Sequence, residues 1–74
     1  MAINTNMQGR YLYLKTTDKD GLVSYSEHTV YDPDLFMAAR QREADNVNVD
    51  AQKDGLPGLA RAEQITRNQY LARV

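Results

Sequence analysis

The clearest pattern in this sequence is an alternation of apolar and polar residues between positions 10 and 30. "RYLYLKTT" alternates tyrosine with leucine, "LVSYSEHTV" is rich in aromatic and β-branched residues, and "DKDG" lies between the two. Because successive side chains of a strand point to opposite faces, this pattern predicts two strands joined as a β-hairpin.

The turn "DKDG", residues 18–21, fits two hairpin loops that give different strand registers. In a type I turn followed by a left-handed Gly21, which forms a bulge, Asp18 pairs with Leu22. A two-residue Asp-Gly loop would mix tyrosines and leucines on both faces, because a slip of one residue turns one strand over. We expect the bulge. It divides the side chains into a face with Tyr11, Tyr13, Lys15, Val23 and Tyr25 and a face with Leu12, Leu14, His28 and Val30.

After the hairpin, "YDPDLFMAARQREADN" predicts a helix over about residues 33–44. Asp32 suits the N-cap and Pro33 suits the first helical position. Leu35, Phe36 and Ala39 form a narrow apolar stripe, which we expect to cover the leucine face of the hairpin.

The polar, turn-rich residues 45–58 predict a loop with room for a short strand at Val47 and Val49. From Leu59 to about Ala72, a ragged apolar stripe predicts a second, weaker helix that frays in solution and settles on a partner. Residues 1–9 read as a loose lead-in, although the alternation of Ile3, Thr5 and Met7 permits another strand.

The expected fold class is α+β, with a small antiparallel β-hairpin or sheet packed against one helix and a weaker, flexible C-terminal helix. We expect a hairpin-plus-helix domain over residues 1–54 and a basic C-terminal helix or tail over residues 55–74. The charges differ between these parts. The first holds six basic and nine acidic residues, and the second holds three arginines and one glutamate.

Length and composition limit the classes of function. A chain of 74 residues buries only about 60% of the surface that its unfolded form exposes, which leaves little room for a deep catalytic pocket. There is no cysteine, and neither a signal-peptide pattern nor a long apolar stretch is present. We therefore expect a soluble, cytoplasmic, monomeric protein that does not bind membranes.

The sequence contains no complete motif for an enzyme active site, a cofactor site or a metal site. His28 has no nucleophile partner other than the serines beside it, and we expect it to be a hydrogen-bonded or half-exposed residue of the strand. "DNVNVD" resembles the start of a calcium loop but has Ala51 where the sharp turn needs glycine. "DGLPG" lacks the lysine of a phosphate-binding loop. We expect no catalytic activity, no cofactor and no metal.

The tyrosines are the remaining signal, and they allow two interpretations. Tyrosine is enriched at protein interfaces, where its rigid ring and hydroxyl make large contacts. Alternatively, the rings stack across the strands under the second helix. Stacking on single-stranded nucleic acid is a weaker alternative, because the strands offer no basic track.

Taken over its whole length, the chain resembles the small transcription regulators of lytic Xanthomonas bacteriophages, which bind the host RNA polymerase. The resemblance lies in overall length and in the run "MAINTNMQGRYLYLKTTDKDGLVSYSEHTVYDPDLF", which is followed by a polar C-terminal segment. It implies a non-enzymatic inhibitor and antiterminator. Such a protein docks on the N-terminal region of the beta-prime subunit and on the beta flap, hinders sigma factor and favours read-through of terminators.

If the interface interpretation holds, the register selects the contact residues. The expected anchors are Tyr11, Tyr13, Lys15 and Tyr25, with Arg10 and Glu27 at the rim. Arg61, Arg67 and Arg73 would add secondary, salt-sensitive contacts, some of them near nascent RNA. Two other classes stay open: a small nucleic-acid-binding regulator that uses the C-terminal helix, and an antitoxin-like protein that neutralises another host protein.

Overall fold

The computed structural model describes residues 9–73, which form three strands and two helices. These are β1 (Arg10–Thr17), β2 (Val23–Val30), α1 (Pro33–Lys53), β3 (Arg61–Ile65) and α2 (Arg67–Leu71). The strands form one antiparallel sheet in the order β2-β1-β3. The α+β prediction is confirmed. The strand considered at Ile3, Thr5 and Met7 lies outside the described residues.

The hairpin turn sets the register between β1 and β2. The Asp18 N–H donates to the Leu22 carbonyl at 2.9 Å, the Gly21 N–H donates to the Asp18 carbonyl at 3.0 Å, and Gly21 has φ +88°. The Asp18 side chain also accepts from the N–H groups of Asp20 and Leu22. Glycine adopts this left-handed conformation without steric cost. The predicted bulge register is confirmed, because Thr17 pairs with Val23 directly beside the turn, as pairing of Asp18 with Leu22 requires.

The core lies on the leucine face of the sheet, as expected. Leu12, Leu14 and Val30 are buried, and Leu12 is only 1% exposed. Phe36 and Met37 of α1 and Ala62 of β3 pack against them. The start of α1 also follows the prediction, because Pro33 opens the helix and Asp32 accepts a hydrogen bond from the Leu35 N–H at 3.1 Å.

The predicted end of α1 near residue 44 is wrong, because the helix continues to Lys53. Residues 45–53 of the predicted loop are therefore helical. Ala44, Asn48 and Ala51 repeat at helical spacing, and the two alanines are buried. No short strand forms at Val47 and Val49, which lie on exposed positions of the helix.

A glycine stops α1 in the pattern of a Schellman motif. The Gly55 N–H donates to the Gln52 carbonyl, the Leu56 N–H donates to the Ala51 carbonyl, and Gly55 has φ +78°. These bonds satisfy carbonyls that the helix end leaves without an intrahelical partner. The helix boundary is therefore set by Asp54-Gly55, about ten residues later than the prediction placed it.

Asn48 fastens the segment that leads into β3. Its side-chain amide makes two hydrogen bonds of 2.7 Å with the backbone of Ala60: Nδ2 donates to the carbonyl, and Oδ1 accepts from the N–H. Gly58 comes close to the same side chain with φ +71°, and a Cβ there would lie 3.2 Å from the Asn48 Cβ. Side chain and loop therefore form one packed unit.

The continuous C-terminal helix predicted from Leu59 is also wrong. Residues 61–65 form β3, which pairs with β1, and only Arg67–Leu71 is helical. Thr66 starts α2 through a capping box, because its Oγ1 accepts from the Gln69 N–H and the Gln69 Oε1 accepts from the Thr66 N–H. The division at residue 55 stays a prediction, and β3 belongs to the same sheet as the hairpin.

Replacing Asn48 should destabilise the fold. Asn48→Ala leaves the Ala60 N–H and carbonyl without partners in a half-buried place, so we expect the free energy of unfolding to fall by about 1 to 3 kcal/mol. Asn46→Ala, an exposed change on the same helix, is the control and should be nearly neutral. Urea unfolding measures both. Equal stability of the two variants would contradict the role assigned to Asn48.

Candidate partner-binding face

The surface of the sheet opposite the core carries most of the predicted contact residues, and we call it the tyrosine face. Strand alternation and the two registers assign its members from all three strands. The helix α1 lies on the other side of the sheet. The tyrosine face consists of Tyr11, Tyr13, Lys15, Val23, Tyr25, Glu27, Arg61, Glu63 and Ile65.

The helix α2 covers the middle of the tyrosine face. The rings of Tyr70 and Tyr13 have centroids 4.9 Å apart and are tilted by 38°. The Arg73 guanidinium lies 4.0 Å from the centroid of the Tyr70 ring and donates to the Tyr70 carbonyl. Tyr13 is consequently half-buried. Tyr13 therefore stacks on the ring of Tyr70, and only part of its side chain remains exposed to solvent.

Tyr11 and Tyr25 remain open on either side of this cover. Tyr11 is 70% exposed and Tyr25 is 38% exposed, and Val23, two residues before Tyr25 on β2, is also exposed. A tyrosine ring that is largely solvated offers a partner a large rigid contact. The two interpretations of the tyrosines therefore apply to different residues. Tyr13 packs on α2, as the stacking interpretation says, whereas Tyr11 and Tyr25 form the accessible aromatic surface.

Several predicted cations of this face already have partners. Lys15 Nζ lies 3.9 Å from Glu63 Oε2, and Arg61 Nε lies 3.7 Å from Glu63 Oε1. These pairs are partly solvated, so each contributes at most about 1 kcal/mol to stability. Their main effect is to cancel charge, since two cations share the single carboxylate of Glu63 on the edge strand β3.

The structure brings some of the predicted contact residues together and separates others. Glu27 and Arg67 line one hollow on the tyrosine face, together with Tyr11, Tyr13 and Tyr70. Neither charge forms an ion pair with another residue of the described range 9–73.

Arg10 and Tyr25 lie apart from that hollow. Tyr25 lines a neighbouring hollow with Lys15, Glu63 and Gln69. Alternation along β1 places Arg10 on the leucine side of the sheet, opposite Val30. Arg10 is therefore at the edge of the molecule but not on the tyrosine face.

Tyr70 is not among the predicted contact residues. It falls within the continuous helix that the sequence predicts from Leu59 to about Ala72. The sequence "TRNQ" contains the signal that could have corrected this, because threonine followed three positions later by glutamine marks a helix start. A start at Thr66 leaves the stretch before it outside the helix and places Tyr70 on a short helix.

His28 lies on the opposite face and has structural contacts, as expected. Its Nε2 is 2.7 Å from Ser26 Oγ, and its ring centroid is 5.0 Å from that of Phe36. Between residues 9 and 73, no group of three His, Asp or Glu side chains is placed to hold a metal ion.

A second concave surface, an apolar groove of about 270 Å³, opens between α1 and the sheet. Leu14, Ala44, Val47 and Ala60 are part of its lining. At one side of the groove, Arg40 pairs with Glu43 at 2.7 Å.

Neither helix of the described residues 9–73 has the length and apolar character that a membrane span requires.

Comparison of the chain with protein-family models, with curated proteins and with solved structures gives no match.

Removing the ring that covers Tyr13 should loosen α2. Tyr70→Ala loses the contacts with Tyr13 and Arg73, so we expect the free energy of unfolding to fall by about 1 to 2 kcal/mol. Tyr70→Phe keeps the ring and should retain stability. Urea unfolding and amide exchange of α2 measure the effect. Unchanged exchange in the alanine variant would show that the stacked pair does not hold α2.

Proposed function

We propose that this chain is a non-enzymatic protein that binds the RNA polymerase of an infected bacterium in the cytoplasm and regulates its transcription. The observation that carries a binding role is the open aromatic surface formed by Tyr11 and Tyr25 beside the Tyr13–Tyr70 stack. The polymerase as target comes from the resemblance of the sequence to phage-encoded regulators. So do the proposed effects: hindrance of sigma factor during initiation and antitermination during elongation.

The geometry favours a protein partner. Exposed tyrosines are suited to hot spots in protein interfaces, since a ring and a hydroxyl become buried with little loss of conformational entropy. Here the rings stand on strands, whose pairing fixes the backbone that carries them. A preorganised aromatic surface loses less entropy on binding than a flexible loop would.

The charges on the tyrosine face do not favour nucleic acid. Lys15 and Arg61 share Glu63, and Glu27 lies beside the hollow that Arg67 lines. Binding to a phosphate backbone depends on clustered cations that release counterions. In our proposal Arg61, Arg67 and Arg73 make only secondary, salt-sensitive contacts.

A pull-down from nuclease-treated Xanthomonas lysate tests the target. The immobilised chain should retain the polymerase subunits after the nucleic acids have been digested. A different single protein in the eluate would favour the antitoxin-like alternative. Retention that depends on intact nucleic acid and falls steeply with salt would favour the nucleic-acid-binding alternative. Either result would overturn the polymerase proposal.

Substitutions on the tyrosine face test the surface itself. Tyr11→Ala and Tyr25→Ala should each weaken binding to purified polymerase by about 1 to 3 kcal/mol, because they remove exposed aromatic anchors. Val49→Ala, an exposed apolar position of α1, serves as the control and should bind normally. Calorimetry measures affinity, and circular dichroism shows that each variant is folded. Full affinity in both folded tyrosine variants would exclude this face as the contact surface.

A further inference from the structure

The two edges of the sheet differ in how they are protected. The edge at β3 is short, and the Asn48 side chain occupies the Ala60 N–H and carbonyl just before that strand. The edge at β2 runs for eight residues in continuous pairing with β1, and its sequence "VSYSEHTV" has no proline and no lysine. Natural proteins usually block an edge strand with such residues or with a bulge. Among residues 9–73, no strand pairs with the outer edge of β2.

The register shows which backbone groups of β2 point outward. The bond from the Asp18 N–H to the Leu22 carbonyl makes this a hydrogen-bonded pair, and such pairs alternate along an antiparallel ladder. Ser24, Ser26 and His28 therefore direct their N–H and carbonyl groups toward β1. The groups that point away from the sheet belong to Val23, Tyr25, Glu27 and Thr29, and in the described chain no other strand pairs with them.

We infer that β2 accepts an extended, basic segment of a partner protein as a fourth strand of the sheet. Strand addition of this kind derives affinity from backbone hydrogen bonds and specificity from alternate side chains. The inference rests on the proposed function in one respect, namely that the chain acts by binding another protein. It does not depend on which protein that is.

Charge complementarity identifies the basic character of the segment. Residues 18–34, which contain β2 and both of its ends, carry five carboxylates and one lysine. Glu27 is exposed in the middle of the strand and forms no ion pair with any described residue. A lysine or arginine opposite Glu27 is favourable, since opposite charges across neighbouring strands stabilise a sheet.

The same charges argue against two other occupants. A second copy of this chain would bring two acidic edges together, and like charges on neighbouring strands are destabilising. A nucleic acid would place phosphates against carboxylates. A basic peptide strand fits both the open hydrogen-bonding groups and the charge.

The two faces of the sheet define the side-chain pattern of the segment. Residues opposite Glu27 would point to the tyrosine face. Their neighbours would point to the leucine side, where a hollow is lined by His28, Val30, Leu35 and Phe36, and Leu35 is 69% exposed. The segment should therefore alternate basic residues, which face Glu27, with apolar residues, which face this hollow.

Amide exchange measured by NMR with model peptides tests the inference. The probes are two peptides of about eight residues, a typical strand length, one alternating Lys with Val and the other alternating Glu with Val. The Lys-Val peptide should slow exchange of the Tyr25, Glu27 and Thr29 amides about tenfold, and amides that already point to β1 should change little. The Glu-Val peptide should have no effect. Absence of this alternating protection, or equal protection by both peptides, would overturn strand addition.

A substitution pair at Thr29 separates the outward N–H from the side chain. Thr29 lies opposite Tyr11, so both variants change the same neighbour of that ring, but only Thr29→Pro also removes the outward N–H. Proline is tolerated on edge strands. Thr29→Pro should weaken Lys-Val peptide binding about tenfold, while Thr29→Val binds as the unchanged chain does. Equal binding by the two folded variants would contradict strand addition.

The outcomes also separate this inference from the proposed function. Polymerase binding without alternating amide protection, in the polymerase complex or with the Lys-Val peptide, would leave the function standing and remove the strand-addition site. Alternating protection by the peptide without retention of polymerase would support the strand-addition site and overturn the proposed function.

Discussion

The bulge at Gly21 is the constraint on which the rest of the molecule depends. It fixes the pairing of β1 with β2, and this pairing sends Leu12 and Leu14 to α1 and the tyrosines to the other side. The register also decides which backbone groups of β1 remain for β3 and which groups of β2 point outward. One left-handed glycine therefore determines the core, the aromatic surface and the open edge together.

The small core explains why polar contacts are important in this fold. Only three large apolar side chains are buried in the described chain, so packing alone leaves the third strand weakly held. The Asn48 amide compensates by replacing a strand neighbour at Ala60. The capping box at Thr66 then turns the chain onto the tyrosine face, where Tyr70 meets Tyr13. Local hydrogen bonds thus place the elements that a larger core would otherwise position.

Local rules were sufficient to predict the hairpin, its register and the start of α1, because turn chemistry at Gly21 and capping at Asp32 act over a few residues. They failed where structure depends on distant partners. The second half of α1 is stabilised by contacts with a distant segment, because Asn48 on this half binds Ala60. Residues 61–65 form the strand β3 because they pair with β1. For the candidate site, the tyrosine face followed from the register. The burial of Tyr13 did not, since the cover comes from α2.

The position of β3 in the sheet has a consequence for the order of folding. The hairpin and α1 bring together residues that are close in the chain, but β3 pairs Ile65 with Tyr13, far earlier in the sequence. Closing so long a loop carries an entropic cost that local contacts avoid, so the hairpin and helix should form before the third strand docks. The ribosome also releases this strand after the hairpin and α1. During synthesis, the aromatic surface therefore exists before its cover, and a nascent chain exposes Tyr13 as openly as its neighbours.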